Sequence, residues 1–134
     1  MTKTYFSNAS QTVVILSLLL FFFTIPHTLE DFATGTPEEA GVPASVLSLV
    51  ISIIFLLHSL GLYWMGQKQK KGLYIHIGLG LFWPIASGFA QLPAIFSDEP
   101  YRTGMISKVY VFGMILVGIL MLLASIRALR LSKT

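Results

Sequence analysis

Three histidines, a tryptophan and a few buried-looking amides and hydroxyls carry most of the chemistry this chain could perform. His27 stands three residues before Glu30 and four before Asp31. If a helix continues past Pro26, His27 and Asp31 share one face. A carboxylate can orient an imidazole and tune its proton affinity, giving a pH-responsive or general-base pair. Glu30 adds negative charge that would favour a bound cation. The plainer alternative is an interfacial histidine beside solvated acids, so His27, Glu30 and Asp31 stand as an outer polar cluster.

His58 and His76 lie in neighbouring apolar runs joined by a short loop, on the same side of the membrane midplane. Two such imidazoles are compatible with a bis-histidine haem b site, and equally with hydrogen-bonded histidines inside a bundle. His76 also opens a second series. His76, Gly80, Trp83, Ser87 and Gln91 advance by four, three, four and four residues. At 3.6 residues per turn they fall within about 80° of a helical wheel. Lipid does not reward such a face. It should look into the protein, making His76, Trp83, Ser87 and Gln91 a candidate ligand pocket.

Several chemistries are excluded at once. With no cysteine there is no disulfide, thiol catalysis or thiolate metal site. A zinc site usually takes at least three protein ligands, and His27 belongs at the opposite end from His58 and His76. No phosphate-binding loop, nucleophile elbow or H-E-x-x-H motif occurs. Gly78-Leu79-Gly80 lies within an apolar run and cradles no phosphate.

The elements that position these residues follow from composition. The 134 residues are 54% hydrophobic and 11% charged, with mean hydropathy +0.76. Soluble chains carry about 25% charged residues. Four apolar runs, about residues 10–32, 42–66, 72–96 and 104–126, each suit the roughly 20 residues of a bilayer-spanning helix. Backbone in lipid must satisfy its own hydrogen bonds, so these runs are helices. The fold class expected is an all-α integral membrane protein, a single four-transmembrane-helix bundle. The first run reads as a retained span, since no small-x-small cleavage site follows it. Pro26 and Pro84 should kink their helices near Phe22 and Gly80. Thr36-Pro37-Glu38-Glu39 reads as a helix start with Thr36 as N-cap.

Charge gives the orientation. Lys3, Lys68, Lys70, Lys71, Arg127, Arg130 and Lys133 fall on one side, and all six acids fall on the other with Arg102 and Lys108. The positive-inside rule then places both termini and the second loop in the cytoplasm, N-in/C-in, of what we take as a bacterial cell membrane. Basic residues at helix ends mark topology, so no nucleic-acid partner is expected; the partners implied are the bilayer, other membrane subunits or a second copy. Tyr63, Trp64, Tyr74 and Tyr101 read as interfacial anchors.

Small residues mark packing seams. Ser10, Ser17, Thr24 and Asp31 form one in the first span. Ser45, Ser48, Ser52 and Ser59 form one in the second. Tyr110, Gly113, Val117, Met121, Ala124 and Ala128 form one in the fourth.

Small multidrug transporters carry a membrane-embedded glutamate in their first span, and residues 12–25 hold no acid. Thiol enzymes of the vitamin K reductase type need cysteines. Pro26-His27-Thr28-Leu29-Glu30-Asp31 resembles the close of the first span in the sterol-isomerase and sigma-2-like four-helix family. That family also uses acids deeper in its pocket, and the later spans here hold none. The resemblance implies a four-helix bundle and leaves an isomerase site without its acids. The function expected is a small, non-enzymatic binding, accessory or assembly component with a polar pocket along the third span. The alternatives are a haem b or other redox subunit and a small dimeric transporter.

Overall fold

A computed structural model describes the backbone of residues 2–132 and the side chains from residue 8 onward. Five helices follow in order: α1 (Thr2–Ala33), α2 (Thr36–Glu39), α3 (Ala44–Gly66), α4 (Lys70–Ile95) and α5 (Met105–Leu131). α1, α3, α4 and α5 are each long and apolar enough to cross a membrane. The chain is all-helical and consistent with a helical membrane bundle. The expected spans lie within a few residues of these helices. α5 runs on to Leu131, because nothing before Ser132 breaks a helix and its arginines can reach outward.

One local expectation holds and one changes. α1 continues through Pro26 to Ala33, so His27, Glu30 and Asp31 lie on the helix expected over about residues 10–32. Proline costs α1 one backbone bond, at the Phe22 carbonyl. The single turn α2 is present, but its N-cap is Gly35 at φ 75°, with no side-chain capping bond. The Thr36 hydroxyl pairs with that of Thr34 instead, at 3.0 Å.

α5 lies at the centre, packed along α1 on one side and α4 on the other, while α3 rests chiefly on α4 and touches α1 sparingly. The core is formed by Val13 and Leu20 of α1, Leu73, Leu79 and Trp83 of α4, and Val111, Met114, Val117 and Met121 of α5. Large apolar side chains such as Phe22, Leu49, Phe89 and Leu116 point outward, as lipid-facing helices allow.

Close backbone approach sets two crossings. A Cβ on Gly80 would lie 2.7 Å from the Leu122 amide nitrogen, so α4 and α5 touch there through backbone. A Cβ on Gly72 would lie 2.5 Å from the Gly61 carbonyl, which fixes α3 against α4. The expected seams hold for α1, where Ser17 and Thr24 are fully buried, and in large part for α5. They fail for α3: Ser45, Ser48, Ser52 and Ser59 are all exposed. Ser52 and Ser59 donate to the carbonyls of Ser48 and Phe55, at 2.8 and 2.9 Å. A hydroxyl satisfied by its own helix needs no neighbour, so the stripe can face lipid.

Gly80→Ala should therefore destabilise the bundle by roughly 1–3 kcal/mol. Gly78→Ala, where a Cβ meets nothing within 4 Å, should be neutral or slightly stabilising. Thermal unfolding of both variants in one detergent checks this.

Candidate functional site

The sequence-predicted residues separate into two polar clusters at different depths. The first joins α1, α3 and α4. Ser17 Oγ lies 2.6 Å from His58 Nε2 and 3.0 Å from His76 Nε2, and all three residues are fully buried. His76 Nδ1 lies 2.7 Å from the Gly72 carbonyl. A carbonyl only accepts, so Nδ1 of His76 carries its proton and Nε2 is the acceptor. Ser17 then donates to His76, and its oxygen accepts the Nε2–H of His58. The Phe21 ring stacks on His58 at 4.3 Å, and His58 Nδ1 is left buried without a partner. Glycine at position 61 makes room: a Cβ there would lie 2.7 Å from His76 Cε1.

Haem does not fit between these rings as they stand. Both Nε2 atoms are committed to one hydroxyl, and the rings meet edge to face with centroids 5.4 Å apart. A macrocycle would require the helices to part.

The second cluster gathers at the end of the bundle that carries the acids. The ion pair between Arg102 and an Asp31 oxygen ties the α4–α5 loop to α1. Arg102 Nη2 also donates to Gln91 Oε1 at 2.9 Å, and Tyr101 Oη donates to the same oxygen at 2.8 Å. Arg102 Nη1 reaches His27 Nδ1 at 3.5 Å. Glu30 accepts from the hydroxyls of Thr103 and Ser107. Arg102 adopts φ 42° to aim its side chain inward. Burial pushes the Tyr101 phenol up to about 12, so it remains a donor to Gln91 across the physiological range.

This cluster revises the sequence reading in three ways. Glu30 and Asp31 are not solvated: their side chains are 9% and 16% exposed. Asp31 follows the Ser10–Ser17–Thr24 seam inward as its spacing suggested, and Glu30 is enclosed beside it. Tyr101, expected as an interfacial anchor, is 5% exposed and belongs to the core of the site. Arg102, Thr103 and Ser107 went unsuspected. The available signal was that Arg102 is one of only two basic residues among six acids at that end.

A cavity of about 280 Å³ adjoins this cluster. Its walls are apolar, from Leu47, Val50, Ile51 and Ile54 of α3 and Phe82 and Ala86 of α4. Pro37 of α2 and Met114 of α5 also contribute. His27, Asp31 and Gln91 give it one polar corner, and Trp83 and Ser87 line the remainder of the α4 side. Of the pocket expected along α4, three members meet here. His76 does not: it belongs to the Ser17 cluster, because the α4 face is long enough to serve two sites. Trp83 Nε1 is buried with no partner, and Ser87 has only the Met114 sulfur, at 3.9 Å. A larger groove of about 570 Å³ between α1 and α5 is lined by Leu16, Leu120, Leu123 and Arg127 among others. Its polar members are Asn8, Thr12 and Arg127.

Comparison with protein-family models, curated proteins and solved structures gives no match. Any functional reading of this chain therefore rests on its geometry.

Two predictions follow from the clusters. Ser17→Ala strands an N–H of His58 and an acceptor of His76, and should cost about 1–3 kcal/mol in unfolding free energy. Arg102→Met leaves the buried Asp31 unpaired and should cost about 3–5 kcal/mol, whereas Arg102→Met with Asp31→Asn should recover most of it. Chemical unfolding of the three variants reads both effects.

Proposed function

We propose that this protein is a small membrane-embedded binding component whose cavity among α1, α3 and α4 takes an amphipathic molecule. The polar group of the ligand sits at the His27–Asp31–Gln91 corner, and its apolar body lies along α3 and the Phe82–Ala86 face of α4. The observation that carries this reading is the cavity itself: apolar walls with a few convergent polar groups, the usual build of a small-molecule site. The loose seating of α3 against α1 supports entry from the lipid side.

A purely catalytic reading has less behind it. Ser17 is held by two imidazoles, among the described residues no acid bonds either ring, and Ser17 lines neither the α1–α5 groove nor the cavity beside His27. The transporter alternative gains one observation from the structure, the largely buried Glu30 and Asp31. Both are already engaged by Arg102, Thr103 and Ser107, which argues for a structural or binding role over ion coupling.

Ala86→Phe projects a ring into the cavity without touching either polar cluster. Native mass spectrometry of gently extracted protein should find a co-purified amphiphile on the wild type and lose it in Ala86→Phe. Equal retention in both would overturn the assignment to this cavity. A Soret band in the purified protein, abolished by His58→Ala, would favour the redox alternative instead.

A further inference from the structure

The polar corner of the cavity is specific about hydrogen bonding, and resting on the binding reading above, it narrows the ligand class. Arg102 Nη1 is 3.5 Å from His27 Nδ1. A guanidinium only donates, so Nδ1 is the accepting nitrogen and the ring proton sits on Nε2. That Nε2 lies 3.6 Å from Asp31 Oδ2, beyond hydrogen-bonding distance. A donor and an acceptor therefore face each other across a gap neither closes, and both residues line the cavity. The other Asp31 oxygen is held by Arg102, so the carboxylate cannot swing across without losing its ion pair.

We propose that this pair is bridged from the cavity side by the hydroxyl of a neutral lipophilic alcohol, at hydrogen-bond distance from both atoms. A hydroxyl offers one donor and two acceptor lone pairs. It donates to Asp31 Oδ2 and accepts from His27 Nε2–H, bridging the two. Gln91, whose Oε1 accepts from Tyr101 and Arg102, lines the same cavity.

Other headgroups match less well. An ammonium would find Asp31 already paired with the guanidinium and has no acceptor for the His27 Nε2–H. A carboxylate accepts from His27 but has no proton to give Asp31 Oδ2. An ether accepts from His27 but offers Asp31 nothing.

Three probes of one chain length separate these cases: 1-decanol, its methyl ether and decylamine. Each is titrated into wild-type protein in detergent, with affinity expressed per mole fraction in the micelle and bound ligand counted by native mass spectrometry. Decanol should bind about tenfold more tightly than the ether, as its one additional hydrogen bond to the Asp31 carboxylate allows. His27→Leu removes the bond that both oxygens accept, so decanol and the ether should weaken by a similar factor, with decanol still the tighter through Asp31. Because the decanol-to-ether ratio is read within one variant, it does not depend on stability. Equal binding of all three probes, or a preference for decylamine, would overturn the alcohol assignment while leaving an amphiphile site. Absence of binding by any probe, in wild type as in Ala86→Phe, would overturn the binding reading as well.

Discussion

The ion pair between Arg102 and Asp31 holds the acid-bearing end of this protein together. It joins the α4–α5 loop to the last turn of α1, and through Gln91 it reaches α4 as well. A guanidinium suits the task because its fork can satisfy a carboxylate, an amide oxygen and an imidazole nitrogen at once. Without it, three polar side chains would be buried beside apolar walls with no countercharge. With it, the same groups become the floor of a cavity. The proposed binding corner and the stabilising corner are thus one structure, and α1 must stay helical past Pro26 for either to exist.

The Ser17–His58–His76 chain does similar work at another depth. α3 has few apolar contacts with α1, and one serine hydroxyl shared by two imidazoles supplies a polar link between them. Close packing of α3 on α4 at Gly61 and Gly72 sets the ring positions. Beyond the Phe21–Phe55 ring contact, at 5.4 Å, the cavity opens toward the end of α1 at His27, Thr28 and Asp31. Contacts are thus dense along α5 and sparse along α3 within one small bundle.

Much of this was legible in the sequence. Apolar run lengths gave the four long helices, and the four-three-four-four spacing gave the inward face from His76 to Gln91. Ser17 and Thr24 were readable as an inward seam by their seven-residue step. What remained hidden depends on contacts between distant segments. Arg102 looked like an ordinary loop charge because its partner lies seventy-one residues earlier, and only the left-handed backbone at Arg102 turns it inward. The α3 serines misled for the opposite reason: a small polar residue that bonds its own helix looks the same in sequence whether it packs or faces lipid. His76 shared a face with the pocket residues, yet helical rise carried it beyond the cavity and into contact with α1.

Trp83 offers the most direct measurement of the central claim, since only one other tryptophan, Trp64, needs to be replaced. In Trp64→Phe protein, a brominated medium-chain alcohol should quench the Trp83 fluorescence saturably, with the quenching abolished by Ala86→Phe. Linear, non-saturating quenching that is unchanged by Ala86→Phe would show contact from bulk detergent alone and would contradict a ligand site in this cavity.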